Sequence, residues 1–414
     1  MFFLYNILVY ITSFFVKITS IFNDKLKLFV NGRKDVFEKL NRQISKEDKV
    51  IWFHTASLGE FEQGLPVIEE VKKDFSDHKI LVTFFSPSGY EVKKNTTVAD
   101  IVCYLPLDTK RNAKRFLKFV SPELAIFVKY EFWPNYLFQL KKQNVPTLLI
   151  SGIFRERQSF FHWYGGFMRN SLQTFNHFFV QDEASKLLLK NINFTNVTVS
   201  GDTRFDRVSE ILERDNALKF VEEFKQDKLC FVAGSTWPED EKILIDYINE
   251  DASGKVKYII APHNIKPALI EKLKTEITKK TILFSQKEGK ATSDYEVLIL
   301  DTIGLLTKVY SYADIAYVGG GMGNTGLHNT LEPAVFGIPV LIGKNYEGFI
   351  EAEKLVKLGG IISIKNKNDF FERASHIIDN QDHLNKIGAI NSTYINKNKG
   401  AKIQIGSYIR KLLK

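Results

Sequence analysis

The run from Ala313 to Gly343, ADIAYVGGGMGNTGLHNTLEPAVFGIPVLIG, constrains the fold more than any other part of the chain. Residues 315–318 read as a short apolar strand. The chain then turns through Gly319, Gly320, Gly321, Gly323 and Gly326. Asn329 or Thr330 is placed to cap a helix with Glu332 in its first turn, and 338–342 is a second apolar strand. Strand, glycine turn, helix and strand make a parallel α/β unit. Glycines let backbone N–H groups approach an anion, and a helix N-terminus favours its charge. The spacing is neither the dinucleotide fingerprint nor the triphosphate loop, because no Gly-Lys-Ser/Thr follows. A turn that merely joins two elements uses glycine as well, so that reading stays open.

Strand–turn–helix units recur from residue 50 onward. Residues 50–54 read as a strand, 55–60 as a turn and 61–72 as a helix. Ser57, Gly59 and Glu60 therefore fall outside the carboxyl end of a strand, where open parallel sheets bind ligands. Glu60, near a helix start, is placed to stay ionised and act as a general base; an ordinary first-turn carboxylate is the other reading. The strand at 80–85 leads to Ser86, Ser88 and the amide of Gly89, groups suited to sugar hydroxyls or phosphate. Strands follow at 101–105, 124–128, 148–151, 177–181 and 197–201. The aromatic stretch 160–175 suits burial of an acyl chain or docking on a membrane, and equally an aromatic helix packed in the core. A domain boundary is expected close after Asp206. Beyond it, the strand at 230–233 ends at Ser235 and Thr236, and the strand at 257–261 ends near His263 and Lys266, candidate phosphate ligands. Two such domains imply an enzyme with a cleft between them.

With 414 residues, 44% of them hydrophobic, the chain fills two cores. Its net charge of +9 suits anionic partners: phosphates, an anionic membrane or nucleic acid. Cys103 and Cys230 are the only cysteines, which argues against a disulfide framework or a cysteine metal site and for a reducing compartment. Residues 2–22 are strongly apolar, with Lys17 inside and Lys25, Lys27, Arg33 and Lys34 after. A secretory signal would place charge before the apolar core and a small-residue cleavage site after it, and neither is evident. The segment is long enough for a marginal membrane span. It equally suits a helix lying in the interface with Lys17 snorkelling, or a soluble helix packed on the protein. The basic helix expected at 109–120 is either a solvated face or a contact for anionic lipid.

Asp301-Thr302-x-Gly304, Tyr310-x-x-Ala313-Asp314, Gly319-Gly320-Gly321 and His328-Asn329-x-Leu331-Glu332-Pro333-Ala334 together resemble the donor-binding half of Kdo transferases. Those enzymes move 3-deoxy-D-manno-octulosonate (Kdo) from CMP-Kdo to a lipid A precursor. The resemblance covers most of the chain. HTASLGEFE at 54–62 is similar to the family's H-A-x-S-x-G-E-x-E, slightly respelled. Residues 129–135 resemble E-x-E-x-W-P-N, with Lys129 in place of the first glutamate and Glu131 retained. Ser151, Gly152 and Ile153 replace an Asn-Ala-Arg, while Glu156 and Arg157 follow the familiar Glu-Arg. Residues 201–206 resemble Gly-Asn-x-Lys-x-Asp, with Asp202 and Arg204 as departures. Gly234-Ser-Thr-Trp237 is similar to Gly-Ser-Thr-His. His263 remains from His-Pro-Glu-Arg, with Lys266 where an arginine is usual.

The resemblance implies a GT-B fold: two α/β Rossmann-like domains facing an inter-domain cleft, with an N-terminal apolar helix that associates with the membrane. The implied division is 1–33 membrane segment, 34–208 acceptor domain, 209–385 donor domain and 386–414 a helical segment returning to the first domain. It implies that Glu60 is the base of an inverting transfer. Ser57, Gly59, Glu62, Ser86, Ser88 and Gly89 fall on the acceptor side, with Glu131, Glu156 and Arg157. Ser235, Thr236, His263, Lys266, Gly320 and Gly321 fall on the donor side, and Asn329 and Glu332 lie by the nucleotide. The partners implied are CMP-Kdo as donor substrate, an anionic acylated lipid A precursor and a membrane surface, at the cytoplasmic face of a bacterial inner membrane. No nucleic acid and no cofactor are expected. No metal is expected either, since no Asp-x-Asp closes a strand and no tight His/Cys cluster occurs. The alternatives are another nucleotide-sugar enzyme of the same fold, an epimerase or hexosyltransferase, and a non-enzymatic membrane-associated binding protein.

Overall fold

The computed structural model describes residues 2–413. The chain divides into two compact units: one runs to Arg207 and resumes at Lys399, and the other is Val208–Asn398.

The first unit is built on seven parallel strands: β1 (Lys49–Thr55), β2 (His78–Phe84), β3 (Ile101–Tyr104), β4 (Leu124–Val128), β5 (Thr147–Gly152), β6 (His177–Val180) and β7 (Val197–Val199). Their order is β3-β2-β1-β4-β5-β6-β7. Every residue of β4, and of β1 after Lys49, is buried. Helices cover both faces of such a sheet, so its central strands are continuous apolar runs without alternation. One face packs Trp52, Phe116, Tyr136 and Phe178; the other packs Phe53, Phe61, Val82 and Ile126. The strand order reverses between β1 and β4, which opens a crevice at their carboxyl ends.

The second unit has β8 (Leu229–Thr236), β9 (Val256–Pro262), β10 (Thr281–Leu283), β11 (Val297–Ile299), β12 (Ile315–Val318), β13 (Val340–Gly343) and β14 (Ile361–Ile364). These seven are also parallel, in the order β10-β11-β9-β8-β12-β13-β14. The reversal falls between β8 and β12, so the glycine turn after β12 lies at this unit's crevice.

The N-terminal helix Phe2–Thr19 rests one flank on the first unit. Phe2, Tyr5, Asn6, Val9, Ser13 and Val16 are partly buried, at helical spacing, while large apolar residues on its other sides are exposed. Tyr5 donates to the buried Asp108 at 2.6 Å, and Phe2 packs edge-on to Phe138 and Phe167. The helix Ala401–Leu413 also packs on the first unit, burying Ile405 and Ile409. Asp206 caps its start by accepting the amides of Gly400 and Lys402 at 2.7 and 3.1 Å.

Four local expectations need correction. The segment from 386 is not one piece: the helix Gln381–Asn398 belongs to the second unit, and the chain breaks at Gly400, whose φ of +112° no helix carries. The helix starts at Leu58 rather than 61, so Glu60 is in its first turn rather than in a loop. The aromatic stretch 160–175 is not one helix but two 3-10 turns, Ser159–Phe161 and Trp163–Gly165, followed by the helix Gly166–Leu172. The backbone at Gly165 folds so tightly on Ser159 that a Cβ would lie 1.7 Å from its carbonyl oxygen. The helix expected after His328 is a single turn, Leu331–Ala334, so it carries little dipole to hold an anion.

Candidate active site

In the first unit the crevice is formed by the segments that leave β1 and β4. After Thr55 the chain enters the helix Leu58–Asp74, whose N-cap is Ser57. The Ser57 hydroxyl donates to one carboxylate oxygen of Glu60, which is buried in the first turn. Gly59 beside it is exposed, and nothing but Ser57 Oγ lies near the place its Cβ would take, so the approach to this turn is open. Glu62, two residues past Glu60, is engaged instead with Lys93 and Arg207, each at 2.8 Å.

Within β1 and β2 lies a buried polar chain. Trp52 Nε1 donates to Thr83 Oγ1 at 2.8 Å, His54 Nδ1 lies 2.9 Å from the same hydroxyl, and Trp133 Nε1 donates to His54 Nε2 at 2.9 Å. An indole N–H can only donate, so His54 Nε2 accepts and the ring proton sits on Nδ1, toward Thr83. Trp133 Nε1 also reaches Glu131 Oε2 at 3.0 Å. The single Trp133 N–H is thus shared between His54 and Glu131, a buried carboxylate just past the end of β4. Tyr130 connects the two acids: partial burial first, then the charges of Glu60 and Glu131, push its hydroxyl above the ordinary range.

Ser86 and Ser88 share a hydroxyl–hydroxyl bond of 2.9 Å at the start of the helix Pro87–Lys93. The Gly89 amide bonds back to Ser86 O at 3.3 Å. A Cβ on Gly89 would meet the Phe84 ring at 2.4 Å and Leu58 N at 2.9 Å, so this glycine lets the two helix starts approach. Arg155, Glu156 and Arg157 are exposed after β5. Two departures from the family pattern compensate each other: Arg204 pairs with Asp202 at 2.8 Å, and Asp202 also accepts from Gln63 at 3.1 Å. Asp206 serves the start of the C-terminal helix.

In the second unit β8 ends in a bulge at Ser235, which has φ +54°. Thr236 is buried and donates to Glu241 at 3.0 Å; burial raises the Glu241 carboxyl, with that bond opposing. Asp240, which is fully buried, organises the turn. It accepts from Trp237 N at 3.0 Å, Tyr317 OH at 2.7 Å, Gly320 N at 2.8 Å and Met322 N at 3.3 Å. The Gly320 amide is therefore held within the protein rather than presented to an anion. Gly320 is needed for space and for its φ of +91°: a Cβ would lie 2.1 Å from Gly326 O. Gly321 belongs to the same turn and accepts from Asn345 N at 2.8 Å.

Above the turn, three rings assemble. Trp237 stacks on His263 at 4.5 Å, His263 lies 4.7 Å from His328, and Trp237 Nε1 donates to His328 Nε2 at 2.9 Å. Burial, and after it His263, hold His328 below the ordinary imidazole range. Asn329 donates to Glu332 at 3.1 Å, with Asn329 exposed and Glu332 partly buried. Lys266 is exposed at the start of the helix Pro267–Glu276. Sequence reasoning passed over Asp240 as a turn organiser and His328 as a site residue. The acidic pair after Trp-Pro was the available signal for the first. Among the described residues, no group of three or more His, Cys, Asp or Glu converges as metal ligands would.

Two units of this kind define a GT-B protein. The fold is shared with UDP-GlcNAc 2-epimerase from Neisseria meningitidis, at a TM-score of 0.60 and 15% identity over 87% of this chain and 100% of that one. It is shared too with MurG from Acinetobacter baumannii, at a TM-score of 0.54 and 11% identity over 88% and 99%. Residues 33–207 match the family model described as 3-deoxy-D-manno-octulosonic-acid transferase (kdotransferase). Proteins named 3-deoxy-D-manno-octulosonic acid transferase are similar along most of their length. That of Haemophilus influenzae is 28% identical, over 85% of this chain and 84% of its own. That of Aquifex aeolicus is 29% identical, over 83% and 91%. Over most of its length the chain is thus homologous to Kdo transferases.

Proposed function

We propose that this chain transfers Kdo from CMP-Kdo to a hydroxyl of a lipid A precursor, releasing CMP with inversion at the sugar carbon. Glu60 takes the proton of the acceptor hydroxyl, whose oxygen bonds to the anomeric carbon as the bond from that carbon to the CMP phosphate breaks. Ser57 holds the Glu60 carboxylate in place. Glu131, which shares the Trp133 N–H with His54, shapes the same crevice. In the second unit the ring cluster of Trp237, His263 and His328 takes the nucleotide side of the donor, with Ser235, Asn329, Glu332 and Lys266 around it.

The observation that carries this reading is Glu60. In a chain homologous to this family, a buried first-turn carboxylate with one serine partner stands at a strand-order reversal, beside an exposed glycine.

The apolar exposed face of the 2–19 helix supports membrane association. We infer that it lies in the plane of the cytoplasmic face of the inner membrane, because one flank rests on the domain along its length. Trp163, 91% exposed, leads into the helix whose Phe167 packs on Phe2 and Tyr5, and an amphipathic ring there suits the headgroup region. Beside the helix lies a cavity of about 390 Å³ lined by Lys17, Lys34, Arg111 and Arg115, a charge that suits anionic headgroups.

The test is transfer itself. Purified full-length protein with CMP-Kdo and a tetra-acylated acceptor should give acceptor enlarged by Kdo in the mass spectrum, with CMP released. Absence of transfer, with turnover of a UDP-sugar in its place, would contradict the proposal.

A further inference from the structure

The carboxyl ends of β4 and β5 in the first unit carry a second feature. Lys129, Tyr130, Ile153, Arg155, Arg157 and Gln158 line a small cavity of about 270 Å³. That volume is at or below the smallest whole-ligand pockets, ~300 Å³. It therefore suits one charged group and the ring that carries it rather than an entire substrate.

Three cations face this space. Among the described residues, no carboxylate lies within ion-pair distance of Lys129, Arg155 or Arg157, whereas Glu62 and Asp202 are each paired with a cation. The Lys129 ammonium stands 5.2 Å from the centre of the Tyr130 ring. Tyr130, which lines this space, lies within electrostatic reach of Glu60 and Glu131 as well as of Arg155. The backbone is unusual here. Lys129 has φ +72° and Ser151 φ +50°, left-handed values that cost a non-glycine residue about 1–2 kcal/mol each. Lys129 is held in that conformation by its amide bond to Ile150 O at 2.9 Å. Strain at a strand end, next to a pocket, points to function. Lys129 and Ile153 are also positions where the chain departs from the pattern it otherwise follows, and both line this cavity. An acid has become a cation at 129 and a cation has become apolar at 153.

We propose that Lys129, Arg155 and Arg157 form an anion subsite beside Glu60 that binds a phosphate monoester of the acceptor, with Lys129 supplying the cation that position 153 lacks. This rests on the transfer reading above. Two arginines present planar forks to phosphate oxygens, and Lys129 adds a point charge. The subsite positions the acceptor so that its hydroxyl meets Glu60.

Two measurements test the subsite. The first needs no transfer: line broadening of inorganic phosphate in ³¹P spectra with the full-length protein. Broadening should fall in Lys129→Ala and return in Lys129→Arg and in Lys129→Ala/Ile153→Arg, at unchanged melting temperature for Lys129→Arg. The second is steady-state transfer to acceptor with and without its phosphates. The preference of kcat/KM for phosphorylated acceptor should drop about 10-fold or more in Lys129→Ala, the scale of one bond to a charged group. An equal loss on both acceptors overturns the proposal. A rise confined to the KM for CMP-Kdo overturns it too, since the pocket would then hold the donor's carboxylate. If the wild-type protein transfers no Kdo, the functional reading fails and the ³¹P result alone decides the subsite: undiminished broadening in Lys129→Ala refutes it.

Discussion

The carboxylate of Asp240 accepts the amide of Gly320 at 2.8 Å, across 80 residues of sequence. One buried acid therefore holds the glycine turn after β12 to the helix that comes after β8, the two strands flanking the order reversal. Replacing it with alanine strands several buried donors, each worth about 1–3 kcal/mol when left unpaired. Asp240→Ala should lower stability by at least ~3 kcal/mol. In whatever folds, affinity for CMP should fall as well. Calorimetry with CMP beside thermal melting checks this. Wild-type CMP affinity in a folded Asp240→Ala protein would show that the turn does not shape the nucleotide site.

His328 gives a pH dependence with a definite sign. Its folded pKa lies below the ordinary value of 6.5, because of burial and then of His263. As pH falls below that value, the unfolded chain takes up the proton first and stability is lost, until the folded pKa is passed. The Trp237 bond to His328 Nε2 resists the same protonation. Melting between pH 8 and pH 5 should fall less steeply in His328→Gln than in the wild type. Parallel curves would mean that His328 titrates alike in both states.

The N-terminal helix should govern membrane binding without governing the nucleotide. Deleting residues 2–19 should abolish most partitioning to vesicles containing anionic lipid while CMP affinity stays within about twofold. Arg111→Glu/Arg115→Glu should weaken partitioning in the intact chain, and more so at low salt, since screening hides surface charge. Unchanged partitioning in the deletion would show that the helix does not hold the protein to the membrane.

Much of this was legible in sequence for a physical reason. Strands buried on both faces, such as 124–128 and 315–318, are unbroken apolar runs, and the polar turns after them mark the ligand-binding edge. The place of Glu60 just after such a strand was legible; its proposed role as base came from the resemblance and not from position alone. Ties made across the fold were not legible. The Asp240 bond to Gly320, the Trp133 bond to His54 and the Gln63 bond to Asp202 each depend on packing that brings the partners together. Helix lengths failed where backbone space decided them. Gly165 packed on Ser159 divides an aromatic run that composition alone reads as continuous.

The most direct test of Glu60 as the base is Glu60→Gln. The amide keeps the size and a partner for Ser57 but cannot take a proton. Single-turnover transfer with both substrates saturating should slow by about 10²–10⁴-fold, the usual scale of general-base help. Melting temperature and CMP affinity should change little, because the proposed donor site is on the other unit. Transfer at the wild-type rate by a folded Glu60→Gln protein would show that Glu60 is not the base, and Glu131 would be the next carboxylate to replace.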